Sequence, residues 1–201
     1  PNFIELCLNE KLSEVITLQP VKRFDLDAAI IFSDILMVPF GLGQSVEFKK
    51  NFGPQLGSIN IHEILKLDDD GFIKKLLPVY KLLENLEKSP QLDNKDLIGF
   101  VGAPWTLLVY MINKVSPKNG LQETFFKDEA LIKNIFSVLD RFIKLHIKNQ
   151  VEAGATIIQI FDSWAGLILK DFEKYLYEPT KSLVDYTKGL GVPVICFPRS
   201  I

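Results

Sequence analysis

The sequence predicts an α/β protein built around a parallel sheet, and three observations carry that expectation. Four short apolar runs, 28–32, 97–101, 156–161 and 192–197, lack the alternation of a strand with one wet face. Stretches with apolar residues at helical spacing separate the runs, as strand–helix–strand crossovers require. Polar residues gather where the runs end: Asp34, Thr106 beyond Gly102, Asp162 with Ser163, and Arg199. Doubly wound sheets and (β/α)8 barrels share this local pattern, and both place their chemistry beyond the carboxyl ends of the strands. Four polar interruptions on successive strands therefore predict a shared pocket.

Taken in order, residues 2–17 place Phe3, Leu6, Leu12, Val15 and Ile16 at helical spacing and predict one or two helices. Thr17-Leu18-Gln19-Pro20 reads as a fresh helix start with Pro20 in its first turn, feeding the strand Ala28–Phe32. Phe40-Gly41-Leu42-Gly43-Gln44-Ser45 has a Gly-x-Gly behind a strand. Its third glycine is absent and Val46-Glu47-Phe48 reads as β, so a dinucleotide loop is not expected. Residues 49–70 read as an irregular excursion, with Asp68-Asp69-Asp70 supplying N-terminal charge to a helix over 71–88. The strand Leu97–Val101 then turns through Gly102-Ala103-Pro104 into another helix. A long helix follows over 128–152, closed by Gly154. The strand Thr156–Phe161, a helix over 164–188 and the strand Val192–Phe197 complete the chain.

Bulk properties narrow the function classes. The 201 residues suit one domain or part of a larger barrel, and 47% hydrophobic with 24% charged residues is an ordinary globular composition. A formal net charge of −2 gives no basic excess for nucleic acid and no polybasic patch for a membrane surface. No apolar run reaches spanning length and no signal peptide is recognisable, so neither a nucleic-acid nor a membrane partner is expected. Cys7 and Cys196 stand far apart without metal spacing, which fits a reducing, cytoplasmic setting. The chain opens at Pro1 and stops at Ile201 just past a strand-like run, and is expected to be cut at both ends.

Asp34 is the anomaly in the first run, since a carboxylate among apolar neighbours is costly unless something donates to it. It either bonds nearby backbone N–H groups where the strand ends, or is held ready for a ligand. Tyr110, in the helix after Pro104, is by itself as well explained by packing, and Ser163 and Asp162 by capping of the next helix.

Longer motifs break this tie. Thr17-Leu18-Gln19-Pro20-Val21-Lys22-Arg23-Phe24, Asp27-Ala28-Ala29-Ile30-Ile31 and Phe32-Ser33-Asp34-Ile35-Leu36 resemble uroporphyrinogen decarboxylase. So do Gly99-Phe100-Val101-Gly102-Ala103-Pro104-Trp105-Thr106-Leu107 with Tyr110-Met111, Gln150-Val151-Glu152-Ala153-Gly154-Ala155 and Gln159-Ile160-Phe161-Asp162-Ser163-Trp164-Ala165-Gly166. The resemblance covers essentially the whole chain. It implies a (β/α)8 TIM barrel, incomplete here with about half of the strands, so that residues 1–201 form a single domain, the central part of such a barrel. It also implies a homodimer in the intact family, and decarboxylation of the four acetate side chains of uroporphyrinogen to give coproporphyrinogen, with no cofactor and no metal. By resemblance Asp34 is the catalytic aspartate that accepts hydrogen bonds from the macrocycle's pyrrole N–H groups. Tyr110 and Ser163 match the family's substrate-contacting tyrosine and hydroxyl residue.

The family's arginine-rich segment, which binds substrate carboxylates, and its C-terminal histidine have no counterpart among these residues; neither His62 nor His146 replaces the latter, and Arg199 is not one of those arginines. The chain alone is therefore expected not to decarboxylate uroporphyrinogen. Two alternatives remain at this level. One is a cobamide-dependent methyltransferase of the same superfamily, whose zinc-binding His-x-Cys element does not occur here. The other is a non-catalytic fragment that associates with other chains through an exposed sheet edge.

Overall fold

The computed structural model of the chain describes residues 2–118, 120–121, 125–168 and 171–201. Its centre is a sheet of four parallel strands, β1 (Ala28–Ile30), β4 (Asp96–Gly102), β5 (Ile157–Asp162) and β6 (Val194–Pro198), standing side by side in chain order. That order separates the two architectures left open by the sequence. A doubly wound sheet reverses its strand order and carries helices on both faces, whereas a barrel winds in one direction with helices outside. Here every crossover steps the same way. The fold is α/β, an open arc of barrel type.

The pleat shows the same asymmetry. The register aligns Ala29 with Leu97, and Gly99, Ile158 and Val194 across three strands. The buried members of this set pack under α2 (Glu10–Phe24), α6 (Pro104–Asn113), α7 (Glu129–Glu152) and α8 (Glu178–Gly189). The other face carries Ile30, Ile98, Phe100, Gln159, Phe161, Ile195 and Phe197, none of them fully buried. Ile30 is 43% exposed, Ile195 42% and Phe197 56%. The strands were expected to be buried on both faces; only the helix-covered face is.

The helical layer follows from its apolar stripes. In α5 (Asp69–Glu87), Phe72, Leu76, Val79, Leu83 and Leu86 are buried, and Ile135, Leu139, Phe142, Ile143 and Ile147 of α7 pack in the same core. Each such side chain contributes roughly 1.5–3 kcal/mol on leaving water. The side chain of Asp68 caps α5 by accepting from the Gly71 N–H at 2.8 Å, so the acidic triplet does open that helix. His146 lies on α7 and is buried against α5, where its Nδ1 is 3.0 Å from the Tyr80 hydroxyl.

Several local expectations are corrected. After α1 (Phe3–Cys7), α2 runs unbroken to Phe24 with Pro20 in its interior. Thr17 does not cap it: the hydroxyl donates to the Ser13 carbonyl at 2.7 Å and accepts the Phe32 N–H at 2.9 Å. Burial of Thr17, Leu18 and Val21 outweighs the proline's missing donor. The irregular excursion contains an antiparallel hairpin, β2 (Val46–Lys49) with β3 (Gly53–Leu56), and the short helix α4 (Ile61–Lys66). The helix expected over 164–188 is divided into a 3-10 turn at Ala165–Leu167, a π-helical turn at Glu173–Tyr177 and α8; its residues 169 and 170 lie outside the described residues.

Candidate active site at the carboxyl ends of the strands

β1 is short because its last residues are claimed by other partners. Ile31 N–H still bonds the Ile98 carbonyl, but Phe32 N–H turns to Thr17, and the chain leaves the sheet. The backbone of Phe100 on β4 would otherwise lose both its bonds. The fully buried amide of Gln150, on α7, fills the gap, accepting from Phe100 N–H at 3.0 Å and donating to its carbonyl at 3.1 Å. Gly99 makes room, since a Cβ there would stand 2.6 Å from Gln150 Oε1. A polar residue in line with Ile143 and Ile147 on a buried stripe was the readable signal for this bridge.

The departing loop carries Asp34. Its Oδ1 accepts the Leu36 N–H at 2.8 Å, and its carbonyl accepts the Met37 N–H at 3.1 Å, opening the short helix α3 (Met37–Gly41). Leu36 and Met37 are buried and anchor the loop from below. On the sheet side, a Cβ at Gly102 would lie 3.1 Å from Ile35 Cβ, so glycine lets the loop come close to the end of β4. Among the described residues no cation pairs with Asp34, and Leu36 N–H is the one donor to its carboxylate. Desolvation pushes its pKa up to about 6 against the lowering effect of that N–H. Burial first, and then the Asp34 charge, push the Cys7 thiol up to about 12, which leaves this cysteine inert at neutral pH.

Two strands away, Ser163 follows β5 and is half-buried. It lines a cavity of about 420 Å³ with Lys118, Trp164, Gly166, Leu167, Arg199 and Ser200. Tyr110, half-buried on α6, sets its ring edge-on to Trp164 at 5.9 Å. Asp34, Tyr110 and Ser163 thus occupy the same end of neighbouring strands β1, β4 and β5; no hydrogen bond joins them among the described residues.

The expected shared pocket does not take in all four polar interruptions. Asp162 and Thr106 point into the helix-covered face, 2% and 0% exposed. Thr106 Oγ1 donates to Asp162 Oδ1 at 2.6 Å and accepts the Trp164 N–H at 3.0 Å, while Trp105 Nε1 donates to the Trp164 carbonyl at 2.9 Å. The pair fixes the backbone that carries Ser163 and Trp164. Asp162 Oδ2 is buried without a partner among the described residues, and burial raises this carboxyl to about 6. Lys118 and the Trp164 indole were not singled out from sequence; Lys118 lies far from any strand end in the chain, and only the fold brings it to Ser163. Among the described residues no group of three or more His, Cys, Asp and Glu could hold a metal ion.

A one-way wound parallel sheet with helices on one face and an acid, a phenol and a hydroxyl at its carboxyl end defines a barrel-type α/β chain with its site where barrel enzymes carry theirs. The structure of a methyltransferase from Methanosarcina mazei superposes over 97% of this chain and 58% of its own, with a TM-score of 0.73 at 15% identity, a likeness of fold. The family model for uroporphyrinogen decarboxylase matches residues 1–200, and the chain belongs to that family. It is 38% identical to the uroporphyrinogen decarboxylase of Rickettsia bellii, over 98% of this chain and 59% of the relative. It is likewise 38% identical to that of Campylobacter jejuni, over 100% of this chain and 61% of the relative. The chain thus spans about 60% of the length of these relatives.

Proposed function

We propose that residues 1–201 are the central part of a carboxy-lyase that converts uroporphyrinogen to coproporphyrinogen, and that Asp34 anchors the macrocycle. One observation carries this: a desolvated carboxylate at the end of β1, with a single backbone donor and no counter-cation among the described residues. Pyrrole N–H groups are the donors such an anion lacks. In the reaction a proton adds to the pyrrole α-carbon beside the one that bears the acetate, which leaves positive charge shared between the ring nitrogen and the acetate-bearing carbon. The bond to the departing carboxylate then breaks, and its electron pair neutralises the ring cation. Proton transfer to the exocyclic carbon, with loss of the ring proton, leaves a methyl group and carbon dioxide.

The anion acts through the difference between ground and transition states, because it attracts the cation more than the neutral ring. At about 4 Å and an effective dielectric near 20 that attraction is on the order of 4 kcal/mol. It corresponds to roughly a thousandfold in rate. Tyr110 and Ser163 are proposed to contact the same substrate. A cytoplasmic site of action and a homodimer of the intact protein complete the proposal; no described helix is long and apolar enough to cross a membrane.

The sheet's open face encloses the macrocycle on one side only, so the 201-residue chain is proposed to bind uroporphyrinogen without turning it over. Anaerobic gel filtration of the chain with uroporphyrinogen, followed by product analysis, tests this. Co-elution without coproporphyrinogen is expected; failure to retain the macrocycle, or product formed by the chain alone, contradicts it. The exposure of Ile30, Ile195 and Phe197 favours a second reading, association with other chains through this face. Light scattering that shows a concentration-dependent oligomer, together with no macrocycle binding, would select it.

A further inference from the structure

Phe100, in β4, offers one backbone N–H and one carbonyl on the side of β1, and two partners compete for them. The first is β1 itself. Asp96 N–H donates to the Asp27 carbonyl and Ile31 N–H to the Ile98 carbonyl, both at 3.1 Å. Continued by one step, this ladder would join Phe100 N–H to the Ile31 carbonyl and Ser33 N–H to the Phe100 carbonyl. The second partner is the Gln150 amide, which makes both bonds instead. One N–H has one bond direction, so the amide stands where the Ile31 carbonyl would come. The two arrangements exclude each other.

Which partner wins decides where Asp34 lies. In register, a continued β1 sets Phe32 opposite Phe100 and Asp34 opposite Gly102, with both side chains on the open face beside Ile30. In the structure the chain leaves after Ile31, and Asp34 folds back onto the Leu36 N–H just before α3. The winner is held firmly. Gln150 is fully buried on the stripe of α7 that carries Ile143 and Ile147. Gly99 keeps the space that its Oε1 needs. Thr17 takes the Phe32 N–H, so the departing chain is held from α2 as well.

We propose that Gln150 is a positioning residue for Asp34: its amide replaces two ladder bonds, keeps β1 from closing on β4 and so holds the loop that presents the carboxylate. The consequence for binding rests on the macrocycle assignment above; the placement of the loop does not. Gln150 acts on substrate through Asp34 alone.

Two variants of the whole chain test this. Gln150→Leu is of similar size and removes both bonds. Gln150→Glu restores them, because full burial keeps a carboxyl protonated at about pH 7, able to accept the N–H and donate to the carbonyl. The first measurement is amide hydrogen exchange at Ser33, whose N–H has no partner among the described residues. In Gln150→Leu this exchange should slow about tenfold or more as Ser33 enters the ladder, and in Gln150→Glu it should stay as fast as in the parent. Unslowed exchange in Gln150→Leu, slowing in both variants, or a Gln150→Leu chain that does not fold overturns the proposal, since β1 then fails to replace the amide.

The second measurement is anaerobic uroporphyrinogen affinity in a double-mutant cycle with Asp34→Asn. Gln150→Leu should bind about tenfold or more weakly than the parent, and should cost nothing further once Asp34 is replaced. Gln150→Glu should bind as the parent does. A packing role for Gln150 predicts the reverse ranking, with the apolar leucine tolerated and the acid not; that ranking, or additive losses in the cycle, overturns positioning through Asp34. If Asp34→Asn alone binds as tightly as the parent, the macrocycle assignment falls, and Ser33 exchange still decides the placement of the loop.

Discussion

Two acids stand at the carboxyl end of this sheet under similar electrostatic pressure, in different surroundings. Asp34 and Asp162 are each pushed up to about 6 by desolvation, and each accepts one hydrogen bond, from Leu36 N–H and from the Thr106 hydroxyl. Asp162 is 2% exposed and faces the helices, where its partner Thr106 also holds the Trp164 backbone. Asp34 leaves β1 in a loop and is only half-buried. A perturbed carboxyl at a strand end therefore does not by itself mark a catalytic group. The face of the pleat and the company it keeps decide the role.

The comparison can be broken from the Asp162 side first, where the largest effect lies. Thr106→Val keeps shape and volume but strips Asp162 of its donor and Trp164 N–H of its acceptor. We expect a loss of about 3 kcal/mol or more, read as a lower urea midpoint at unchanged m-value. An unchanged midpoint would mean that the pair has no organising role.

The pH dependence sharpens the likeness between the two acids. Both have folded pKa values above the ordinary 3.8, so between about pH 4 and 6 the folded state binds more protons than the unfolded one. Their contribution is full below the unfolded value and is lost as pH rises through 6. Asp162→Asn should consequently stabilise the fold by about 2–3 kcal/mol at pH 7.5 and by little at pH 4. Asp34→Asn should do the same with about half that amplitude, its half-open position screening the effect. His146 works in the opposite direction. Burial drives its pKa down to about 3, so its contribution is present above 6.5 and is lost as pH falls toward 3. Thermal unfolding of the parent and of both Asn variants from pH 4 to 8 reads all three; Asn variants whose advantage does not grow with pH would refute the assignment.

The smallest effect concerns Tyr110. Its hydroxyl makes no hydrogen bond to a described residue, so Tyr110→Phe should shift stability by no more than about 0.5 kcal/mol. Weaker uroporphyrinogen binding at unchanged stability would assign the hydroxyl to substrate, whereas full affinity would leave the ring a packing role beside Trp164.

How much of this was legible in the sequence varies with the range of the interactions. The four strands, the capped helix after Asp68 and the position of Asp34 follow from local patterns, apolar runs and a side chain two or three residues from its backbone partner. The hairpin over Val46–Leu56 was missed beyond its first strand. Its return strand, Gly53-Pro54-Gln55-Leu56, has no β-branched residue and is fixed by pairing with β2, not by propensity. Pro20 misled because a local start signal was overridden by the packing of Thr17, Leu18 and Val21. Thr106 with Asp162 and Gln150 with Phe100 are hydrogen bonds across dozens of residues, and Lys118 and Ser163 meet only as lining of one cavity. One-dimensional spacing carries no record of them, and the resemblance that singled out Asp34, Tyr110 and Ser163 as candidates did so only through motif identity.

The central claim is that Asp34 meets the macrocycle as an anion. Its most direct test is the equilibrium affinity of the chain for uroporphyrinogen, measured anaerobically at pH 7.5 for the parent and for Asp34→Asn. The substitution preserves shape and removes the charge, so affinity should fall ten- to a hundredfold, as loss of charge-assisted hydrogen bonds requires. Equal affinity in the two proteins would contradict the account.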